Sequence, residues 1–153
     1  MIFPYSVVVS QATGSADYFL FRRPEIPITI TGTKLARNFL GLVDTGSDHT
    51  IVPLSVARGL GVVVDELEET TANVFGGQSV LLRAGEVELR LEADGKTITW
   101  SAIVSFFDFP SEKDETVVLG HAGFLEFFTS TFDGELEALT LVPNRNLPVE
   151  DHA

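Results

Sequence analysis

A long alternating segment in the middle of the chain constrains the fold more than any other feature. In EVELRLEADGKTITWSAIV, residues 86–104, charged side chains alternate with apolar ones up to Asp94-Gly95. Alternation with a period of two is typical of a strand that buries one face, and Asp-Gly is a favoured two-residue turn between antiparallel strands. The segment predicts a β-hairpin.

Further β signals occur on both sides of this hairpin. The segments IPITI, NFLGLV and TIVP are short, apolar and bounded by turn-forming or polar residues, and Asp133-Gly134 divides a second hairpin pattern, FFTSTFDGELEALTLV. The N-terminal MIFPYSVVVSQATG is interpreted as a strand that Pro4 interrupts. Helical patterns are short, near residues 54–60 and 121–128. We therefore expect an all-β fold.

The length of 153 residues suits one domain with a hydrophobic core. We expect this domain to cover residues 1–143, and we expect the polar segment 144–153 to be a flexible tail. The N-terminus has no basic region before its short apolar run, and no apolar stretch approaches the roughly 18 residues of a membrane span. These features predict a cytoplasmic protein.

Charge and composition exclude several classes of partner and site. The formal net charge is -12, with 10 Lys+Arg against 22 Asp+Glu, which argues against a nucleic acid or an anionic membrane as partner. The absence of cysteine excludes disulfides and thiol nucleophiles. His49, His121 and His152 lack the spacing of a metal site, so no metal or other cofactor is expected.

The segment FLGLVDTGSDHTIVP, residues 39–53, places Asp44 between two apolar runs. Gly46 would allow close backbone approach to the carboxylate, and Thr45 and Ser47 offer hydroxyls, the latter as a donor to Asp44. A simple Asx-turn between strands is one interpretation of Asp-Thr-Gly-Ser. The apolar flanks favour a second one, an active-site turn at the end of a core strand.

Three segments together resemble the retropepsin-like aspartic proteases, the family of the retroviral proteases and their bacterial relatives. LVDTGSDHTIVP resembles the family's active-site segment, NVFGGQSV (73–80) its flap tip, and VVLGHAGFLEFF (117–128) its late apolar-apolar-Gly motif. ALTLVP would be the closing strand, and the matches follow the family order over about residues 26–142. The resemblance implies a retropepsin-like closed β-barrel half with a flap hairpin and one or two short helices.

The resemblance also implies an activity and a partner. Pepsin-like enzymes carry two Asp-Thr-Gly motifs on one chain, whereas retropepsins carry one and pair two chains. This chain has one, at Asp44, so the expected enzyme is a homodimeric aspartic endopeptidase with a polypeptide substrate. The implied catalytic residues are Asp44, Thr45 and Gly46, and the implied substrate-binding residues are Ser47, Asp48, Phe75, Gly76 and Gly77.

One position departs from the retroviral pattern. The residue after Gly120 is usually Arg in those proteases, where it is available to pair with an acidic residue such as Asp48, but here it is His121. A protonated His121 could make the same pair, which would be sensitive to pH. The alternative for His121 is an ordinary surface histidine. For Gly76-Gly77, the alternative to a flap tip is an ordinary hairpin turn.

Two other functions are compatible with the same residues. A catalytically silent retropepsin-like domain could bind peptides or assemble with partners, although the intact Asp-Thr-Gly-Ser favours the enzyme. A β-barrel binding module, in which Asp44 only caps a turn, would make the two later motifs coincidental.

Overall fold

The computed structural model describes residues 1–11, 13–73 and 79–148. Within these residues the strands are β1 Ile2–Pro4, β2 Ser6–Gln11, β3 Tyr18–Arg23, β4 Glu25–Thr31, β5 Ala36–Val43, β6 Ile51–Pro53, β7 Val64–Asn73, β8 Ser79–Ala93, β9 Lys96–Phe107, β10 Val117–Leu119, β11 Phe128–Asp133 and β12 Ala138–Pro143. The helical elements are α1 Leu54–Leu60 and two 3-10 turns, Glu112–Asp114 and Leu125–Phe127.

Six strands close into a barrel in the order β4, β5, β10, β6, β9 and β8, because β8 pairs back with β4. Strand β7 continues the sheet beyond β8. A closed sheet leaves its strands without free edges, which stabilises the backbone hydrogen bonds and prevents unwanted pairing. The expectation of an all-β fold is confirmed.

The β8–β9 hairpin has the turn that the alternating segment predicts. Ala93 pairs with Lys96, and both intervening residues have positive φ, 54° at Asp94 and 71° at Gly95. A type I′ turn requires this backbone conformation at both central positions. The apolar set of β8, Val87, Leu89 and Leu91, is buried in the core.

Trp100 joins this hairpin to the segment that follows β10. Its buried indole N–H donates to the carbonyl of Gly123 at 3.1 Å. Its ring lies 5.9 Å from the ring of Phe124 and 5.4 Å from that of Phe128, measured between centroids. Because this segment contains the residues that hold the Asp44 turn, the barrel core positions the candidate site.

The remaining strands form two smaller sheets. Strands β1, β12 and β11 form an antiparallel sheet, and β2 and β3 form a separate two-stranded hairpin. The predicted β11–β12 hairpin is present, but its turn is wider than Asp133-Gly134. The Asp133 carboxylate accepts hydrogen bonds from the N–H groups of Glu135 and Leu136, and Glu137 has a φ of 50°.

The short helices are partly as predicted. Helix α1 covers the predicted residues and ends at Gly61, whose φ of 73° is the left-handed conformation that glycine favours. Over residues 121–128 only the 3-10 turn Leu125–Phe127 forms. Asn144 is hydrogen bonded to Phe127 and Glu126, and residues 149–153 lie outside the described part. None of the described helices is long and apolar enough to span a membrane.

Candidate active site

Strand β10 lies between β5 and β6 and brings two distant parts of the chain together. Leu119 pairs in parallel with Val43, and Val118 pairs antiparallel with Ile51. The loop 44–50, which connects β5 to β6, therefore surrounds the residues that follow β10. This threading places the Asp44 turn beside Gly120 and His121.

Backbone groups hold the Asp44 turn. The N–H of Asp44 donates to the carbonyl of Leu119 at 3.0 Å, and the N–H of Ser47 donates to the carbonyl of Asp44 at 3.2 Å. The N–H of Gly46 donates to Oδ1 of the Asp44 carboxylate at 2.8 Å. A Cβ at Gly46 would lie 3.2 Å from this oxygen, so glycine suits the approach. The carboxylate is thus oriented by main chain and is partly exposed.

The segment after β10 holds the far side of the same loop through three main-chain hydrogen bonds. The N–H of His121 donates to the carbonyl of Ser47 at 2.9 Å, and the N–H of Ala122 donates to that of Asp48 at 3.0 Å. The N–H of Thr50 donates in return to the carbonyl of Ala122 at 3.1 Å. Both ends of the loop are therefore fixed to β10 and the residues directly after it.

Gly120 allows this close approach. A Cβ at this position would lie 2.1 Å from the carbonyl oxygen of His49 and 2.6 Å from that of Ser47. The N–H of Gly120 donates to the hydroxyl of Thr50 at 3.3 Å, and Thr50 is only 1% exposed. Thr50 was not among the predicted site residues. Its signal in the sequence was a threonine between the polar turn and the apolar strand β6.

Ser47 differs from the expectation. Its hydroxyl donates to the carbonyl of His49 at 2.7 Å rather than to the carboxylate of Asp44. The loop folds back after Gly46, so the carbonyl two residues ahead is the nearer acceptor. Ser47 therefore stabilises the shape of the loop and does not set the charge of Asp44 directly.

Ser47→Ala should lower the free energy of unfolding by about 1 kcal/mol, the usual contribution of one hydrogen bond. The acidic limb of any pH–activity profile should stay in place, because the lost bond does not involve the carboxylate. Urea unfolding and the pH dependence of kcat/KM measure the two effects, with the exposed Ser101→Ala as control. A shift of the acidic limb to higher pH would place the hydroxyl on Asp44, as the sequence suggested.

His121 contacts the Asp44 turn directly. Its Nε2 lies 2.8 Å from the carbonyl oxygen of Thr45. A carbonyl only accepts hydrogen bonds, so Nε2 carries a proton in this contact, whether the ring is neutral or charged. The histidine thus connects the residue after Gly120 to the Asp-Thr-Gly turn itself. The predicted pair between His121 and Asp48 is therefore not the contact that Nε2 makes.

His121→Ala should lower kcat/KM by about five- to tenfold, because the turn loses a hydrogen bond of about 1 kcal/mol. His121→Gln should retain most of the activity, since its amide N–H can reach the same carbonyl. Steady-state kinetics of both variants tests this. Equal losses in the two variants would show that the Thr45 contact does not position the turn.

The other predicted site residues are placed unevenly. Thr45, Gly46 and Asp48 belong to the described loop and are exposed. The predicted flap residues Phe75, Gly76 and Gly77 lie outside the described residues, so their role stays a prediction. An open cleft of about 440 Å³ borders the loop at His49 and Thr50, but Asp44 is not among its lining residues.

The hydrogen bond that the structure shows at the Asp44 carboxylate is the one from the Gly46 N–H. In comparisons with known proteins, no protein-family model and no curated protein matches the chain.

Proposed function

We propose that the chain is an aspartic endopeptidase, in which two Asp44 carboxylates, one from each chain of a homodimer, activate a water molecule. The observation that carries the proposal is the Asp44 turn itself. Its carboxylate is fixed by the Gly46 N–H at 2.8 Å, and the turn is held by hydrogen bonds to the β10 segment. A carboxylate oriented in advance needs little reorganisation during catalysis.

The chemistry follows from placing two such carboxylates close together. Both cannot ionise at once without a large repulsion, so the pair shares one proton. The ionised member accepts a proton from water, while the protonated member donates a hydrogen bond to the scissile carbonyl. The water oxygen forms the new bond to carbon, and the C–N bond breaks as the amine takes up a proton. No acyl-enzyme forms, because water is the nucleophile.

The dimer supplies the second carboxylate. A two-fold axis brings the same residue from both chains together, so one Asp-Thr-Gly per chain gives a complete pair. The turn occupies an exposed position at the end of β5, which leaves it accessible to a second copy. The mechanism needs one ionised and one protonated carboxylate, so activity should fall at both high and low pH.

A peptide library incubated with the protein from about pH 3 to about pH 8 tests the activity, with and without a pepstatin-type inhibitor. Cleavage that the inhibitor and Asp44→Asn both abolish would support the proposal. The exposed Asp114→Asn is the matched control, because it removes a carboxylate far along the chain from the turn. If the folded wild-type dimer cleaves no peptide at any pH, the result contradicts the proposed activity and favours the catalytically silent peptide-binding domain.

A further inference from the structure

The β2–β3 hairpin exposes an unusual amount of apolar surface. It pairs with no other described strand. Six of its apolar side chains are 40–69% exposed, namely Val7, Val9, Tyr18, Phe19, Leu20 and Phe21. An isolated two-stranded hairpin is only marginally stable in water, and large exposed apolar patches mark interaction sites. A hairpin of this composition requires a partner surface.

The apolar residues occupy both faces of the hairpin. The cross-strand pair Val9 and Leu20 lies on one face, and the pair Val8 and Phe21 lies on the other. The rings of Phe19 and Phe21 stack on each other with centroids 6.0 Å apart, yet both remain exposed to solvent. The body of the same chain therefore leaves both faces largely uncovered.

The base of the hairpin lies next to the catalytic turn. Strand β3 continues through Pro24 into β4, and the carbonyl of Pro24 accepts a hydrogen bond at 2.8 Å from the N–H of Val43. Val43 directly precedes Asp44. Because the two Asp44 carboxylates of the proposed dimer meet on its axis, the hairpin base lies close to that axis. Its six-residue strands extend about 20 Å, which brings them within reach of the second chain.

Charge also favours a second copy as the partner. The whole chain carries a formal net charge of -12, so two copies repel each other over most of their surfaces. Neither hairpin strand contains an Asp or Glu, and their two arginines are paired with Glu137 and Glu25. Apart from Asp17 in its loop, the hairpin is thus an apolar surface without unpaired charge on an acidic protein. Two identical acidic chains can associate along its strands with little like-charge contact.

The two faces of the hairpin together expose a large part of the apolar area that an interface needs. The exposed parts of Tyr18, Phe19 and Phe21 amount to about 300 Å², given that a buried aromatic side chain covers 150–250 Å². A stable interface buries about 800 Å² per partner, so the aromatic residues alone supply more than a third. Val7, Val9 and Leu20 add to this. We propose that the β2–β3 hairpin is the arm with which each chain holds its second copy, an inference that rests on the proposed function.

The test replaces both residues of one cross-strand pair by threonine, which keeps a high β propensity. Val9→Thr with Leu20→Thr should raise the dimer dissociation constant by at least about 100-fold, because each change occurs twice across a two-fold interface. Val63→Thr with Leu35→Thr is the matched control. These residues have the same types, are 84% and 57% exposed, and lie outside the hairpin. The control should leave the dissociation constant unchanged.

Analytical ultracentrifugation of the full chain gives the dissociation constants, and the fluorescence of Trp100 reports whether each variant is folded. A folded, monomeric hairpin variant beside a dimeric control supports the proposal. A hairpin variant that dimerises as tightly as wild type overturns it, and so does a wild-type chain that is monomeric. If the hairpin variant unfolds, the single variant Leu20→Thr replaces it and is read by the same criteria.

Activity separates this inference from the function on which it rests. If the hairpin variant stays dimeric and cleaves peptides, the arm is wrong and the endopeptidase stands. If the wild type is dimeric but cleaves no peptide at any pH, and the hairpin variant is monomeric, the arm stands and the endopeptidase fails. When both hold, the monomeric variant should lose cleavage at dilute protein and recover it at high concentration, where mass action restores the dimer.

Discussion

Asp44→Asn chains added to wild type should suppress peptide cleavage well below the level that dilution gives. The substitution keeps the size and shape of the side chain, so mutant chains should still pair with wild-type ones. A mixed dimer holds one carboxylate and one amide and lacks the shared proton that the mechanism needs. With equal amounts and random pairing, about one quarter of the dimers are fully wild type, so the loss grows steeply with the mutant fraction.

The measurement is cleavage rate against mutant fraction at constant total protein, after subunit exchange has come to equilibrium. Asp114→Asn serves as control, because its mixed dimers keep both Asp44 carboxylates and should be fully active. Pure Asp44→Asn should lose at least about 100-fold in kcat, the range for a missing acid–base group. Activity that falls only in proportion to the wild-type fraction would show that one chain suffices.

Gly120→Ala should be strongly destabilising. Its methyl group would lie 2.1 Å from the carbonyl oxygen of His49 and 2.6 Å from that of Ser47. Both oxygens belong to backbone, so neither can rotate away as a side chain would. The loop must separate from the β10 segment, and we expect a loss of about 3 kcal/mol or more in the free energy of unfolding, at the upper end of overpacking effects.

Urea unfolding followed by Trp100 fluorescence measures this loss. Gly59→Ala is the matched control, since nothing lies within 4 Å of a Cβ there and the residue is inside helix α1. Replacing a helical glycine by alanine should stabilise the protein by about 0.5–1 kcal/mol. A Gly120→Ala variant as stable as the wild type would mean that the loop and β10 are not in the close contact described.

The parts of the fold that sequence could predict are those with local signals. The hairpin at Asp94-Gly95 combines a period of two with a turn that needs positive φ, and both act between neighbouring residues. Strand β3 was missed. In β3 all residues but the last are exposed, so no inside–outside alternation exists to be read. The helix expected over 121–128 is a single 3-10 turn, because Gly123 has a φ of 88° and ends any regular helix there.

The candidate site was predictable as a turn but not as an assembly. Asp44 and Gly46 lie two residues apart, so their hydrogen bond follows from local chain geometry. Which of two acceptors the Ser47 hydroxyl binds does not follow from local geometry, because the position of the His49 carbonyl depends on how the loop folds over Gly120. The contact between His121 and Thr45 likewise results from the position of β10 between β5 and β6 in the barrel.

The position of β10 between β5 and β6 sets the order in which the site can form during synthesis. Gly120 and Thr50 are 70 positions apart in the chain, and His121 and Thr45 are 76 apart. Contacts of such separation form late, because closing a long loop costs entropy before any contact compensates for it. A growing chain exposes its Asp-Thr-Gly segment long before β10 emerges from the ribosome. Until then the turn lacks its hydrogen bonds to Leu119 and His121, so the proposed endopeptidase would have only the local Gly46 contact to orient its carboxylate.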